Sequence, residues 1–306
     1  MDCWLVTGGA GFIGSHLVDA LLARGDRVRI LDDLSSACRD NVPAAAEFLL
    51  GDVTDSALVQ RAMAGVSGCF HLAAIASVER GLEDWLGTHR TNLTGTVTVL
   101  DAARGTQCPV VYASSAAIYG ANQDLPLNEQ SPAEPLSAYG VDKLSCEFYA
   151  KVAAQIHGVP SAGLRFFNVY GPRQNPASPY AGVIARFVRQ ALCGRPLYIN
   201  GDGGATRDFI HVHDAVDHLL AAMTRVRTGQ ARGEVFNVCT GHSTSVLALA
   251  AMIRTIAGSN SPIMHQPERA GDIRHSLGDP ARAIRLLGVG TRTSLESGLQ
   301  TMLRPS

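Results

Sequence analysis

Thr7-Gly8-Gly9-Ala10-Gly11-Phe12-Ile13-Gly14 decides how the rest of this 306-residue chain is read. The octapeptide closes a short apolar run, Trp4–Thr7, and opens the stretch Gly14–Arg24, whose apolar residues at 17, 18, 21 and 22 repeat with the period of an amphipathic helix. A strand that turns through three glycines into a helix suits the diphosphate of a dinucleotide. Gly8 permits the tight turn, Gly11 lets the backbone approach the phosphates, Gly14 lets the helix pack closely, and the helix N-terminus supplies positive dipole. No G-K-[ST] follows, which excludes a P-loop. The next strand, Val28–Leu31, runs into Asp32 and Asp33. A carboxylate there accepts from ribose hydroxyls and repels a 2′-phosphate, which favours NAD over NADP. Asp52 and Val53, at the end of a third strand, are placed either to meet the adenine edge or to cap the strand.

Outward from this turn the same alternation continues. Apolar runs at Glu47–Leu50, Cys69–Leu72, Val110–Ser114 and Gly163–Phe166 are separated by helical patterns, Ala138–His157 being the longest. Short strands alternating with helices build an α/β, doubly wound parallel sheet covered on both faces. After about residue 172 prolines and glycines multiply, with the turn cluster Asn200–Gly204 and helical stretches at 181–193, 212–225, 245–257 and 292–303. The expected division is a nucleotide-binding domain of 1–165 plus about 208–240, and a smaller substrate domain of 166–207 and 241–306.

Composition narrows the partners. Lys+Arg 26 against Asp+Glu 27 leaves a net charge of −1, without the basic footprint of a nucleic-acid or anionic-membrane binder. Seven scattered cysteines without a C-x-x-C pair fit neither a disulfide framework nor a zinc ribbon. No apolar run is long enough to span a bilayer, and no basic n-region precedes the first strand, so a cytoplasmic setting is expected. Only two of the 26 basic residues are lysines, Lys143 and Lys151.

One of those lysines sits in Tyr139-Gly140-Val141-Asp142-Lys143. Positions i and i+4 share a helix face, so the phenol and the ammonium point together. A neighbouring ammonium favours the phenolate, which turns a tyrosine into a general base and acid toward a hydroxyl. Ser115, at a strand end after Ser114, is placed to donate to the same oxygen, making Ser115, Tyr139 and Lys143 the candidate catalytic residues. His211, His213 and Asp214 offer too few ligands at suitable spacing for a metal and read as structural, as does His71 at the end of an apolar strand. No metal is expected.

With these motifs, the sequence resembles the extended short-chain dehydrogenase/reductase family, whose Rossmann-like fold it is expected to share. The resemblance is carried further by HLAA at 71–74, TNLTGT at 91–96, YASSAAIYG at 112–120, LRFFNVYGPRQ at 164–174, YINGDG at 198–203, TRDFIHVHD at 206–214 and RAGDIRHS at 269–276. Within the family it looks most like the UDP-hexose 4-epimerases. That likeness implies an NAD site lined by Gly8, Gly11, Phe12, Ile13, Gly14, Asp32, Asp33, Asp52, Val53, Leu72, Ala73, Ala74, Asn92, Tyr139 and Lys143, with Phe166 and Phe167 near the nicotinamide. It places the UDP-sugar against Ser115, Asn168, Val183, Tyr198, Asn200, Arg207, Arg269, Asp272 and Ser276, the two arginines clamping the diphosphate. It also implies a homodimer joined through the helices at 95–104 and 138–157.

The chain departs from the family pattern at Phe166, often tyrosine, and at Ile75-Ala76-Ser77, where a polar residue is sometimes found. Ser276 falls where some epimerases carry a bulky tyrosine that excludes 2-acetamido sugars. A serine there leaves room for UDP-GlcNAc and UDP-GalNAc beside UDP-Glc and UDP-Gal. Ala116-Ala117 after Ser115 lack the acidic pair of the family's 4,6-dehydratases. Uronate epimerase, decarboxylase, unusual dehydratase and keto-sugar reductase activities stay open; against a catalytically idle NAD-binding sensor stand the intact Ser115, Tyr139 and Lys143.

Overall fold

The structure, a computed structural model, describes residues 1–76, 81, 83–175, 182–268 and 273–303. Seven parallel strands form the main sheet: β1 (Cys3–Thr7), β2 (Arg27–Asp32), β3 (Glu47–Leu50), β4 (Gly68–His71), β5 (Val110–Ser115), β6 (Ser161–Phe166) and β10 (Glu234–Val238), ordered β10-β6-β5-β4-β1-β2-β3. The order reverses between β1 and β4, which opens a crevice at the carboxyl ends of those strands. β1 and β4 are buried along their whole length, which is why they read as apolar runs rather than as alternating patterns.

Helices cover both faces. On one side α1 (Phe12–Ala23) packs beside α7 (Val212–Arg227), and Leu17, Val18, Leu21, Leu219 and Met223 join Trp4, Val6, Ile30 and Phe70 in a buried cluster. On the other, α2 (Ser56–Met63), α4 (Gly95–Arg104) and α5 (Ala138–His157) bring Val59, Val99, Leu100, Cys146 and Ala150 against Leu5, Cys69 and Tyr112. A short α3 (Trp85–His89) runs into a π-helical turn, Arg90–Thr94, which the residue pattern does not announce. The ends of α5 follow local rules. Ser137 accepts from Gly140 N at 3.1 Å as N-cap, and Gly158 ends the helix in left-handed backbone.

The smaller layer is built from β7 (Asn168–Tyr170), β9 (Thr206–His211) and β11 (Ser243–Ser245) in one sheet, and β8 (Leu197–Asn200) with β12 (Ile263–Gln266) in another. Around them lie α6 (Val183–Leu192), α8 (Val246–Ile256), α9 (Ala281–Leu287) and α10 (Leu295–Leu303). Ile184, Phe187, Ile199, Phe209, Leu249, Ile253 and Leu299 form the core there. The chain crosses between layers through Phe166–Tyr170: Phe166 pairs with Ser115 in the main sheet and Asn168 with Phe209 in the small one. After β9 it returns through α7 and β10 to the main sheet.

Candidate active site

The glycine turn lies at the carboxyl end of β1. Gly8 has φ +69°, and a Cβ there would sit 2.6 Å from Ala73 N; a Cβ on Gly14 would collide with the Gly8 carbonyl. Both positions therefore need glycine, one for its conformation and one for close approach. Helix α1 begins at Gly11 without a side-chain cap, unlike α2, α5 and α8, so its first amide groups are left for an anion. Asp32 is buried beside the turn: Oδ2 accepts from Ala10 N at 3.0 Å and Oδ1 from Leu34 N at 2.9 Å. Burial raises its carboxyl above the ordinary value despite these two donors. Asn41, which no motif singled out, donates to Ala10 O at 3.0 Å and steadies the turn from outside. An uncapped helix start and a carboxylate at the end of β2 fit an adenine dinucleotide.

Other residues expected to line this site are placed as follows. Asp33 is exposed and accepts from Ser35 N and Oγ. Strand β3 ends at Leu50, so Asp52 and Val53 lie beyond it rather than at its end. Asp52 is exposed and accepts from Thr54 N at 2.8 Å, forming a local turn, and Val53 is buried against Gly95. Leu72, Ala73 and Ala74 follow β4 and are half-buried. Asn92 spends its side-chain amide on the loop beyond them, accepting from Ile75 N at 2.8 Å and donating to Ile75 O at 3.1 Å. It holds the cofactor-side loop in shape.

His71 closes a buried network beneath that loop. Thr96 donates to Asn92 O at 2.7 Å, so it receives the His71 Nε2 hydrogen at 3.0 Å; Nδ1 then accepts from Thr7 Oγ1 at 2.7 Å, and Ala73 N donates to Thr7 Oγ1. The ring must be neutral. Burial, with the Lys143 ammonium nearby, pushes it down to about 3, and burial beside His213 takes His211 to about 4. The unfolded chain protonates both near 6.5, so it holds more protons than the fold below that pH. Thermal stability is therefore expected to fall as pH is lowered from 7 toward 5, by up to about 1.4 kcal/mol per histidine per pH unit. Calorimetry across that range reads the slope, and a flat profile contradicts it.

Tyr139 and Lys143 are buried on one face of α5, with the Lys143 Nζ 5.9 Å from the Tyr139 ring centroid and donating to Ala113 O at 2.8 Å. Ser115 ends β5. Its oxygen accepts from Ala117 N at 3.1 Å, which leaves its hydrogen to be donated elsewhere. Strand and helix are locked by an ion pair that no motif revealed. Arg165 Nη2 and Nε meet Glu147 Oε2 and Oε1 at 2.8 and 2.9 Å, Ser114 Oγ donates to Glu147 Oε1 at 2.5 Å, and Arg165 Nη1 reaches Tyr119 OH at 2.8 Å. Glu147 lies two turns beyond Tyr139 and Ser114 adjoins Ser115, so one buried pair positions both candidate catalytic side chains.

On the substrate side, Asn168 donates to Asp208 O at 3.1 Å, and Arg207 on β9 donates to Thr206 O and Arg274 O at 2.9 and 3.4 Å. Ser276 N donates to Thr206 O at 3.1 Å, which brings Ser276 beside Arg207. Val183, Tyr198 and Asn200 are half-buried at the start of α6 and on β8. Phe166 is buried at the end of β6, and Phe167 packs into a core cluster with Ile118, Tyr119, Leu127 and Cys239. Arg269 and Asp272 lie outside the described residues. Asp208, within the quoted stretch 206–214 but given no role from sequence, is fully buried and accepts from Thr240 N and Oγ1, Gly241 N and Gly278 N, tying β9 to the segments after β10 and β12.

His211 and His213 are stacked edge to face at 4.9 Å, and Asp214 accepts from Arg292 N and Thr293 N. Among the described residues, no group of three His, Cys, Asp or Glu is placed to hold a metal, and no helix is long and apolar enough to cross a membrane.

A glycine turn at the switch point of a doubly wound sheet, a buried carboxylate at the end of the next strand and a buried tyrosine–lysine pair on one helix face fit a nicotinamide-dinucleotide enzyme. The chain belongs to the NAD dependent epimerase/dehydratase family, whose model matches residues 4–239, and NAD is the cofactor of that family. It is 38% identical over 303 residues to a UDP-glucose 4-epimerase of Mycolicibacterium smegmatis, covering 96% of this chain and 95% of the relative. The crystal structure of a UDP-glucose 4-epimerase from Thermotoga maritima with UDP-glucose superposes with TM-score 0.94 at 36% identity, covering 98% and 97% of the two chains. A UDP-N-acetylglucosamine 4-epimerase from Methanobrevibacter ruminantium, in complex with UDP-N-acetylmuramic acid, superposes with TM-score 0.94 at 32% identity, covering 99% and 97%. Proteins described as a decarboxylase and as a 4,6-dehydratase of nucleotide sugars are also similar.

Proposed function

We propose that the protein is an NAD-dependent UDP-hexose 4-epimerase. The observation that carries this reading is the buried Tyr139–Lys143 pair facing the end of β5, where Ser115 stands. Bound NAD supplies the reversible hydride acceptor. Tyr139, as phenolate beside the Lys143 ammonium, takes the proton of the sugar 4-hydroxyl and later returns it. Ser115 donates a hydrogen bond to the same oxygen and orients it. Arg207 and Arg269 are assigned to the diphosphate, for which a planar guanidinium is suited, Asn168 to the sugar–diphosphate junction, and Asp272 to the uridine ribose. A grip on the UDP end lets the 4-keto sugar present either face while the nucleotide stays in place. The reaction has no net redox change, so turnover without added NAD, with no steady absorbance change of the nicotinamide, tests the reading. Stoichiometric consumption of reduced cofactor would favour a keto-sugar reductase instead. The Ala116-Ala117 pair speaks against a 4,6-dehydratase, which needs an acidic couple there.

The sugar range is assigned to Ser276. A small side chain beside Arg207 accommodates a 2-acetamido group, so interconversion of UDP-GlcNAc and UDP-GalNAc is expected beside that of UDP-Glc and UDP-Gal. Ser276→Tyr is expected to cut turnover of the acetamido pair on the order of 10²-fold while sparing the other pair. Capillary separation of the products checks both, and a wild-type enzyme that ignores the acetamido sugars overturns the assignment.

We also propose a homodimer through α4 and α5. Along α5, Val141, Phe148, Tyr149, Val152 and Ile156 are 48–72% exposed, an apolar stripe suited to a second copy of the same helix pair. Phe148→Asp is expected to yield monomers by light scattering, and a wild-type monomer would contradict the proposal.

A further inference from the structure

Helix α1 presents its N-terminus to the cofactor turn, and one flank is fastened to the bend that follows β7. The buried His16 ring places Nε2 2.9 Å from Pro172 O; a carbonyl only accepts, so Nε2 carries the hydrogen. One turn further along α1, Asp19 Oδ2 meets Arg173 Nη2 at 2.7 Å. Arg173 has φ +64°, a left-handed backbone that suits glycine or asparagine and is disfavoured for arginine. An arginine in that conformation points to a role for its side chain, and the contact that side chain makes is with the cofactor helix. The rings of Phe12, His16, His213, His211 and Tyr170 continue the connection, each edge to face with the next at 4.9–6.1 Å, from the glycine turn to the end of β7. β7 also carries Asn168, the residue assigned to the sugar–diphosphate junction.

We propose that His16 and the Asp19–Arg173 pair are positioning residues that latch the cofactor helix to the strand bearing Asn168, so that NAD is retained while the substrate side stays in register. The inference rests on the retained-cofactor reading above. Neither contact touches the reacting atoms. Their expected effect lies in the NAD dissociation constant and in the nucleotide carried through gel filtration, with the turnover number at saturating NAD unchanged.

Arg173→Gly separates this role from a structural one, because glycine relieves the left-handed backbone while removing the ion pair. Its melting temperature is expected to equal or exceed that of the wild type, and its NAD dissociation constant to rise up to about fivefold, the reach of an exposed ion pair. His16→Ala is expected to raise that constant about tenfold through the lost buried hydrogen bond, with partial rescue in His16→Gln. The charge-swapped double variant, Asp19→Arg with Arg173→Asp, is expected to restore retention. A lowered melting temperature with unchanged NAD affinity in Arg173→Gly, or a charge swap that restores nothing, overturns the latch. If the wild type itself releases NAD freely, the retained-cofactor reading fails, and the latch is then decided by the dissociation constants alone.

Discussion

Tyr139→Phe is expected to lower kcat for UDP-hexose interconversion on the order of 10³-fold while leaving the melting temperature and the bound NAD close to wild type. The ring is buried on α5 and packs there with or without its hydroxyl, so deleting one oxygen costs little packing. What disappears is the only group proposed to carry the proton of the 4-hydroxyl. Lys143→Met should lose activity too, and also weaken cofactor binding, because the Lys143 ammonium holds Ala113 O and is expected to line the NAD site as well as to favour the phenolate. Product chromatography measures the rates. A Tyr139→Phe enzyme with near-normal kcat would show that another group moves the proton.

Glu147→Ala is expected to be the most destabilising single change, costing about 3–5 kcal/mol by leaving the Arg165 guanidinium buried without its carboxylate. The loss extends beyond Coulomb attraction, because Glu147 also accepts from Ser114, and Arg165 also donates to Tyr119 OH and Glu129 O. A drop in melting temperature of roughly 10 °C or more is the expected reading. Replacing both partners, Glu147→Leu with Arg165→Met, should cost less than Glu147→Ala alone, since no uncompensated charge remains. If the single variant melts within about 2 °C of wild type, the pair is not the lock between β6 and α5, extended to β5 by Ser114, that the geometry indicates.

The parts of this protein that could be read without a structure share one property: their physics is local. Three glycines between a strand and a helix, an aspartate at the next strand's end and a Tyr-x-x-x-Lys spacing each constrain a few consecutive residues. Backbone conformation and helix periodicity settle what such residues can do. Ser137 and Gly158 bound α5 for the same reason, and the π turn at Arg90–Thr94 escapes it because no residue type demands one.

What the fold alone decided depends on long-range pairing. Glu147 looks like any charged residue on a helix until β6 brings Arg165 beneath it, and Asp208 looks like a strand carboxylate until Thr240, Gly241 and Gly278 converge on it. Asn92, expected at the cofactor site, pairs its amide with Ile75 across 17 residues of sequence, and Asp52 falls past the strand it was expected to end. His16 meets Pro172, and Asp19 meets Arg173, only because α1 and the bend after β7 pack side by side. The sequence by itself determined the doubly wound α/β class and the placing of Tyr139 and Lys143 together on one helix face. Only the tertiary structure decided which buried charges hold that chemistry in place, because a charge survives burial only where distant segments bring it a partner.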